Sequence, residues 1–497
     1  MSVIDVRNVS FRYDGAADYV FENFSVRLDT GWKLGLVGRN GRGKTTLLGI
    51  LAGRLDYTGT VAADADFVQF PCEIAAGTAV GEAGEAAGAE TWKFLRELSL
   101  LGSGHLADRI FGTLSPGERT RVMLAVLFAQ DGAFPLIDEP TDNLDADGRR
   151  TVAAYLRGKP GFILVSHDRA FLDACTDHTL ALNRTGPEIV KGGFSVWYGE
   201  KTARDAAEAA RNEFLKSEIG RLETAAHRAA DWSDKAERGK YGTYNSGLKV
   251  DRGYVGHKAA KMMQRAKATE RRLERAAEEK SALLKDIEIS APIRLFPHVF
   301  RAETLVTAKN LCALYGGRVS GRPADFEIKR GDRLRIRGGN GSGKSSLLRL
   351  VAGDGIGHEG TLSVASGLTV SYVPQSADRL AGTISDLAAA RGLDPATVGG
   401  MLHRLGLDMR CLGARTETWS AGQKKKALLA LSLCESADLY VWDEPLNYVD
   451  VISRMQIEEA VKTYRPTMLF VEHDEKTAEG LATAVLDIDG NRFIGRR

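Results

Sequence analysis

Residues 33–45 read Lys33-Leu34-Gly35-Leu36-Val37-Gly38-Arg39-Asn40-Gly41-Arg42-Gly43-Lys44-Thr45, and this stretch decides the fold. It begins as a short apolar strand, continues as a glycine-rich loop of the pattern G-x-x-x-x-G-K-[ST], and leads into a helix-forming run. The glycines let backbone N–H groups close around phosphate oxygens at the N-terminus of the helix. Lys44 can then reach the terminal phosphates, and the Thr45 hydroxyl can bind Mg²⁺. The stretch predicts a nucleoside triphosphate site on an α/β fold.

Two acidic residues follow a second apolar strand. Residues 133–137 are apolar, and Asp138 and Glu139 come directly after them. One carboxylate at a strand end beside a phosphate-binding loop can hold Mg²⁺ through water, and the next can act as general base for an attacking water. Ser115-Pro116-Gly117-Glu118 opens a helix upstream, and His167 follows downstream. The set predicts a site that hydrolyses a nucleotide.

The same constellation occurs a second time. The loop returns as Gly338-Gly339-Asn340-Gly341-Ser342-Gly343-Lys344-Ser345, and Gln375, Ser420-Ala421-Gly422-Gln423, Asp443-Glu444 and His473 follow it. Corresponding residues in the two sets lie 300 to 306 positions apart. Such constant spacing indicates the internal duplication of a domain of about 200 residues.

Between the two halves lies a predicted helical arm. Residues 201–238 contain no Pro and one Gly, and their apolar residues recur at helical spacing, at Leu215, Ile219, Leu222, Ala226 and Ala229. A second Gly-free and Pro-free run covers residues 257–290, and the intervening glycine-rich segment is typical of a turn. We therefore expect an α/β chain of three parts: residues 1–199 and 293–497 as nucleotide-binding domains, and residues 200–292 as a long antiparallel helical hairpin with its tip near 239–258.

Positive charge concentrates around that tip. Residues 235–275 hold twelve Lys or Arg and four Asp or Glu, a net charge of +8, whereas the whole chain carries only +2. A basic tip on an otherwise acidic molecule indicates a phosphate-rich partner, although a solvated, salt-bridged helix pair would have the same composition. Aromatic side chains beside the basic ones favour RNA, because they can stack on unpaired bases. The candidate RNA contacts are Lys240, Tyr241, Tyr244, Lys249, Arg252, Tyr254, His257 and Lys258.

Composition excludes several classes of protein. The chain has 497 residues, 43% of them hydrophobic and 27% charged, which is ordinary for a globular protein. No run of 18 apolar residues occurs, and residues 1–10 read as an amphipathic strand rather than a signal peptide. The five cysteines form no C-x-x-C pair, so the sequence indicates neither a disulfide framework nor a zinc site. We expect a cytoplasmic protein.

Taken together, these motifs resemble the ATP-binding cassette of the ABC ATPase superfamily, with its P-loop, Q-loop, signature, Walker B acids, D-loop and switch histidine. The resemblance implies Glu139, Glu444, His167 and His473 as catalytic residues. It implies ATP-binding residues at Tyr13, Gly38, Asn40, Gly41, Gly43, Lys44, Thr45, Thr46, Gln69, Ser115, Gly117 and Glu118, and at Tyr315, Gly338, Asn340, Gly341, Gly343, Lys344, Ser345, Ser346, Gln375, Ser420, Gly422 and Gln423. Mg²⁺ would be held by Thr45, Gln69, Asp138, Ser345, Gln375 and Asp443.

In that superfamily the signature of one cassette covers the P-loop of the other. By resemblance, Ser420, Gly422 and Gln423 would cover the first P-loop, and Ser115, Gly117 and Glu118 the second. The sequence departs from the usual L-S-G-G-Q at Pro116 and Ala421, and the D-loops differ, Thr141-Asp142-Asn143-Leu144-Asp145 against Leu446-Asn447-Tyr448-Val449-Asp450. Both catalytic glutamates are present, so we expect ATP hydrolysis at both sites. The differences in the signatures and D-loops predict unequal rates.

Tandem cassettes joined by a basic arm resemble the ABC-F group of translation factors. The stretches at residues 442–450 and 253–263 look like the antibiotic-resistance branch of that group, which protects ribosomes. The resemblance implies binding to the tRNA exit site in the ATP-bound state, with the tip directed at the peptidyl-transferase centre and at peptidyl-tRNA. Lincosamides, pleuromutilins and streptogramin A compounds would be the displaced drugs. A housekeeping translation factor, the ATPase subunit of a membrane transporter and a DNA-repair ATPase are the alternatives.

Overall fold

The computed structural model describes residues 2–14, 18–183, 186–238, 293–339, 341–378, 380–407, 409–472, 474–490 and 492–494, together with residues 261, 264, 267–269, 271–273 and 275–276. These residues fall into two compact units. Met1–Trp197 and Ser290–Arg497 form the first unit, which contains both predicted nucleotide-binding domains, and Tyr198–Ile289 forms the second.

The first domain alternates strands and helices after an antiparallel start. Its strands are β1 (Val3–Phe11), β2 (Phe21–Asp29), β3 (Lys33–Val37), β4 (Thr58–Ala62), β5 (Asp66–Phe70), β6 (Ala133–Asp138), β7 (Phe162–Val165), β8 (His178–Asn183) and β9 (Gly186–Lys191). Its helices are α1 (Lys44–Leu51), α2 (Ala83–Ala86), α3 (Thr91–Leu100), α4 (Pro116–Ala129), α5 (Ala146–Arg157) and α6 (Arg169–Cys175). Short 3₁₀ turns lie at Val80–Glu82, Gly104–Leu106 and Phe111–Thr113.

The second domain repeats this sequence of elements. Its strands are β10 (Phe296–Pro297), β11 (Thr304–Tyr315), β12 (Arg318–Lys329), β13 (Arg333–Arg337), β14 (Gly357–Val364), β15 (Val370–Val373), β16 (Ser436–Ala437), β17 (Leu439–Asp443), β18 (Met468–Val471), β19 (Ala484–Asp487) and β20 (Arg492–Ile494). After α7 (Phe194–Arg238), its helices are α8 (Lys344–Ala352), α9 (Ile384–Ala390), α10 (Pro395–Arg404), α11 (Ala421–Cys434), α12 (Val451–Tyr464) and α13 (Glu475–Leu481). Two 3₁₀ turns lie at Met409–Gly413 and Thr416–Thr418.

Sheet topology confirms the predicted duplication. The first domain has a six-stranded sheet of order β5-β6-β7-β3-β8-β9 and a three-stranded antiparallel sheet of order β2-β1-β4. The second has β15-β17-β18-β13-β19-β20 and β12-β11-β14, which is the same arrangement. In both large sheets every pairing is parallel except the last, between β8 and β9 and between β19 and β20.

The parallel strands form the buried core. Strand β7 and its counterpart β18 are buried at every residue, as expected for a sheet that packs against other elements on both faces. The P-loops follow the central strands β3 and β13, and the Walker B acids end β6 and β17. Because parallel strands end at one edge of the sheet, the topology brings these segments together there.

Helix α7 extends from the first domain into the second unit. It begins at Phe194, seven residues before the predicted start at residue 201, and ends at Arg238. Leu215 of the predicted apolar seam is buried, and Ile219 and Leu222 are half-buried. The predicted turn and most of the second arm lie outside the described residues, so the helical hairpin stays a prediction.

Candidate nucleotide sites

Each P-loop ends in a glycine that starts a helix. Gly43 has φ 87° and Gly343 has φ 98°, a left-handed conformation that favours glycine, and α1 and α8 begin at the next residue. A Cβ at position 43 would also lie 2.6 Å from Cζ of Phe21, so a side chain there would collide with the antiparallel sheet. The N-cap glycines make no side-chain hydrogen bond to either helix, so no capping side chain competes with an anion for the N–H groups of the first turn.

The two P-loop lysines make matching contacts. Lys44 Nζ donates to the carbonyls of Gly38 and Arg39 at 2.8 and 3.2 Å, and Lys344 Nζ donates to those of Gly338 and Gly339 at 2.9 and 2.8 Å. Burial lowers the pKa of both lysines, and the Walker B acids oppose that effect. Each loop therefore holds an ammonium group over its own backbone, where it can reach terminal phosphates.

The predicted adenine-stacking tyrosines lie beside the P-loop helices. Tyr13 Oη is 2.9 Å from Oγ1 of Thr46, and Tyr315 Oη is 3.2 Å from Oγ of Ser346. The tyrosines are 48% and 43% exposed, which leaves a large part of each side chain open to solvent. The structure thus brings each of them to the P-loop that the sequence assigned to it.

Buried oxygens at the ends of β17 and β5 have the chemistry of Mg²⁺ ligands. Asp443 is only 1% exposed, and neither of its carboxylate oxygens has a hydrogen-bond partner among the described residues. Burial raises its pKa, and the neighbouring Ser345 hydroxyl opposes the effect. In the first cassette, Oε1 of Gln69 is also buried and has no partner within the part of the chain that the structure describes. Carboxylate, hydroxyl and amide oxygens are the donors that Mg²⁺ prefers, so these residues fit the ion.

Asp138 occupies the same place in the first cassette. Burial raises its pKa, and the hydroxyl of Thr45 and the ammonium of Lys44 oppose that rise. Thr45 and Asp138 therefore adjoin each other as Ser345 and Asp443 do. The arrangement of P-loop hydroxyl and Walker B carboxylate is the same in both cassettes.

The two predicted general bases share an unusual backbone conformation. Glu139 and Glu444 both have φ 48°, in the left-handed region that non-glycine residues seldom adopt. The backbone N–H of each donates to the end of the neighbouring strand, at Val165 O and Val471 O, with 3.0 Å in both cases. The conformation turns each glutamate out of its strand while its backbone stays bound to the sheet.

Neighbouring groups hold both glutamate side chains. The backbone N–H of His167 donates to Oε2 of Glu139 at 3.1 Å, and Nε2 of His167 lies 3.2 Å from Oε1. Glu444 accepts from the side-chain amides of Gln375 and Asn447, at 3.0 and 2.8 Å.

Burial and neighbouring charges both act on the first glutamate. Burial raises the pKa of Glu139 to about 8, and the carboxylates of Asp142 and Asp138 act in the same direction. Burial lowers the pKa of His167 well below its usual value, and the nearby cations Lys44, Arg454 and Lys426 lower it further. The imidazole is therefore neutral at pH 7, and it can act as a hydrogen-bonding group rather than as a cation.

The first signature faces the second P-loop. A cavity of about 580 Å³ is lined by Ser115, Gly117 and Glu118 on one side and by Gly341, Gln375 and Glu444 on the other. Ser115 caps α4 in a capping box with Glu118, and Pro116 occupies the first helical position, where a missing N–H leaves no bond unmade. Hydrogen bonds from Ser115 lower the pKa of Glu118, so this signature carries a negative charge where the usual motif has Gln.

The second cassette contacts the first P-loop through its D-loop. Nδ2 of Asn40 donates to the carbonyl of Tyr448 at 2.9 Å, and the backbone N–H of Asn40 lies 3.4 Å from Oδ2 of Asp450. Tyr448 also packs against the second signature, because a Cβ added at Gly422 would lie 3.2 Å from its Cβ and Cγ. Ser420 and Gln423 form the capping box of α11. The structure thus links the second signature to the first P-loop through Tyr448.

Lys425 is a buried cation that the sequence did not predict. Lys425 of α11 is 3% exposed, and its Nζ donates to the carbonyls of Pro374, Gln375 and Asp443 at 2.6, 3.1 and 2.8 Å. It therefore ties the signature helix to the Q-loop and to the Walker B strand. Lys425 stands within the run Lys424-Lys425-Lys426, which from sequence alone resembles a solvated surface.

Several candidate residues lie outside the described residues. They are His473, Asn340, and the tip residues Lys240, Tyr241, Tyr244, Lys249, Arg252, Tyr254, His257 and Lys258. Their roles stay predictions.

Known proteins share this organisation. The model of a protein family described as "ABC transporter" matches residues 21–142 and 322–447. Ribosome protection protein VmlR of Bacillus subtilis (strain 168) is 27% identical over 501 residues, which cover 98% of this chain and 87% of the relative. ATP-binding protein Uup of Caulobacter vibrioides is 28% identical over 501 residues, covering 96% of this chain and 76% of the relative.

Solved structures show the same fold. The archaeal ribosome recycling factor aABCE1, solved in complex with the ribosomal stalk protein aP1, has a TM-score of 0.58 at 23% identity, over 97% of this chain and 87% of that chain. RNase-L Inhibitor has a TM-score of 0.60 at 22% identity, with the same coverage.

The fold and the paired sites define a protein with two ATP-binding cassettes in one chain. The chain belongs to the ABC family through both of its halves, and its tandem organisation is that of the ABC-F group. Within the described residues, no helix combines the length and the apolar character needed to span a membrane.

Proposed function

We propose that this protein hydrolyses ATP at two composite sites and uses the cycle to act on the ribosome. The observation that carries the proposal is the pairing of the first signature with the second P-loop around one cavity. Because ATP would contact both walls of that cavity only when the cassettes are closed, it binds the closed state more tightly and shifts the equilibrium towards it. Hydrolysis removes the phosphate that bridges the walls, and the cassettes open.

The residues of each cassette divide the chemical work. Lys44 and Lys344 bind the terminal phosphates, and Tyr13 and Tyr315 stack on adenine. Glu139 and Glu444, in their ionised forms, each accept a proton from the attacking water, and His167 keeps the carboxylate of Glu139 in place. Bound Mg²⁺, held by Thr45, Gln69 and Asp138 or by Ser345, Gln375 and Asp443, would neutralise charge that develops on the phosphates.

The ribosome is the proposed partner, through large-subunit RNA and peptidyl-tRNA at the exit site. Two things support it: the basic, tyrosine-containing segment at residues 235–275, and the names of the relatives, among them a ribosome protection protein. The protein would act in the cytoplasm. ATP-dependent closure would direct the arm towards the peptidyl-transferase centre and displace a bound drug of the lincosamide, pleuromutilin or streptogramin A type.

Cell-free translation inhibited by one drug of each class tests this function. The unmodified protein with ATP should restore synthesis, whereas a variant lacking residues 239–258 should keep its ATP turnover but fail to restore synthesis. Asp64→Asn, an isosteric change in an exposed turn, is the matched control and should behave as the unmodified protein. No restoration with any of the drugs would contradict the protective role.

A further inference from the structure

The two D-loops differ at the residue that follows each catalytic glutamate by three positions. The first reads Glu139-Pro140-Thr141-Asp142, and the second reads Glu444-Pro445-Leu446-Asn447. Glu139 and Glu444 have the same φ and the same backbone hydrogen bond to the sheet. Asp142 and Asn447, three residues further on, therefore occupy equivalent positions in the two D-loops. The side chains of Asp142 and Asn447 have the same shape, so they differ only in charge and in hydrogen-bonding capacity.

At the second site the D-loop amide holds the glutamate. Nδ2 of Asn447 donates to Oε2 of Glu444 at 2.8 Å, and Nε2 of Gln375 donates to Oε1 at 3.0 Å. These two hydrogen bonds restrain both carboxylate oxygens of Glu444. The carboxylate is thus fixed in orientation and still able to accept a proton, which is what a general base requires.

At the first site the same position offers only a carboxylate. A carboxylate at this position has no hydrogen to donate, and, besides burial, the charge of Asp142 raises the pKa of Glu139, as that of Asp138 does. Burial raises the pKa of Asp142 itself, and Arg454 and Arg149 oppose that rise. Glu139 is held by His167.

We propose that Asn447 positions the catalytic glutamate of the second site, and that Asp142 in the equivalent place makes the first site the slower of the two. The second site then supplies most of the turnover, and the first holds its nucleotide longer. This inference rests on the proposed ATP hydrolysis and adds to it which site is fast and which residues decide the difference.

Exchange of the two residues tests the inference, because each D-loop is the control for the other. Asn447→Asp should lower kcat for ATP by about tenfold or more, as expected when a hydrogen bond to a charged group is lost, with little change in KM. Asp142→Asn should raise kcat, again with little change in KM. The opposite signs of the two effects separate positioning from damage to the fold, which would lower both values.

Backgrounds with one inactivated base assign each effect to its site. In the Glu139→Gln variant, Asn447→Asp should remove most of the remaining turnover. In the Glu444→Gln variant, Asp142→Asn should raise turnover several-fold above a low starting value. Asp64→Asn, the exposed control, should change neither.

The outcomes distinguish this inference from the function on which it rests. If the unmodified chain turns over ATP but neither exchange alters the rate, the inference is wrong and the proposed hydrolysis stands. The same holds if Asp142→Asn lowers the rate. Absence of turnover in the unmodified chain, with and without ribosomes, would overturn the proposed hydrolysis and the inference with it.

Discussion

Arg169 of the first cassette donates from Nη2 to Oε1 of Glu458 in the second cassette at 2.6 Å, and both side chains are more than nine-tenths buried. The hydroxyl of Thr477 also contacts both residues, at 3.2 Å from Arg169 and 2.8 Å from Glu458. A second contact lies at the edge of this interface, where Lys476 Nζ is 3.1 Å from Oδ2 of Asp173. The cassettes are therefore joined by a buried ion pair as well as by the nucleotide sites.

Removal of one partner from this pair should destabilise the protein strongly. Arg169→Met leaves Glu458 buried and uncompensated, which costs about 3–5 kcal/mol in comparable pairs, so Tm should fall clearly. Arg169→Met combined with Glu458→Met should recover most of the loss. Arg7→Met is the control, because Arg7 pairs with Asp5 at the surface and its removal should leave Tm almost unchanged. A Tm for Arg169→Met equal to that of the unmodified protein would show that the pair does not join the cassettes.

The tyrosines beside the P-loops should contribute to ATP affinity through their rings. Loss of stacking on a base costs about 1–3 kcal/mol, so Tyr13→Ala and Tyr315→Ala should each weaken binding by roughly tenfold or more at their own site. Tyr13→Phe and Tyr315→Phe keep the ring and lose only the contact with Thr46 or Ser346, and should bind nearly as well as the unmodified protein. Fluorescent nucleotide titration measures both. Equal losses for the Phe and Ala variants would assign the role to the hydroxyl instead.

Lys425 should give the protein a characteristic pH dependence of stability. Burial lowers its pKa to about 8 in the folded protein, whereas an unfolded chain has the ordinary value near 10.5. Between these pH values the unfolded state binds more protons than the folded state, so the contribution of Lys425 to stability rises with pH. The Tm difference between the unmodified protein and Lys425→Met should therefore shift in favour of the unmodified protein from pH 8 to pH 10. A constant difference across this range would contradict the lowered pKa.

The sequence predicts those parts of the sites whose chemistry depends on adjacent residues. A P-loop needs its glycines, lysine and hydroxyl within eight positions, and the Walker B acids must end one strand, so both leave a local pattern. The order of these motifs and their repetition after about 300 residues also predict the duplicated sheet, because each motif requires a particular strand-to-helix setting.

Contacts between distant residues leave no such pattern. Asn40 and Tyr448 are 408 positions apart, and Arg169 and Glu458 are 289 apart, so neither pair can be inferred from spacing. The burial of Lys425 could not be predicted for a different reason. Three consecutive lysines indicate an exposed surface, but Lys425 and Lys426 are both buried. The difference between Asp142 and Asn447 was visible in the sequence, but its consequence required the contact of Asn447 with Glu444.

Cosedimentation with ribosomes tests the central claim most directly. The Glu139→Gln, Glu444→Gln double variant should pellet with ribosomes in ATP and stay in the supernatant in ADP, because only ATP holds the cassettes closed and the variant cannot release it. Binding should weaken steeply as salt rises from about 50 to 200 mM, as expected for phosphate contacts, and deletion of residues 239–258 should reduce that salt dependence. Equal pelleting in ATP and ADP, or none in either, would contradict the account.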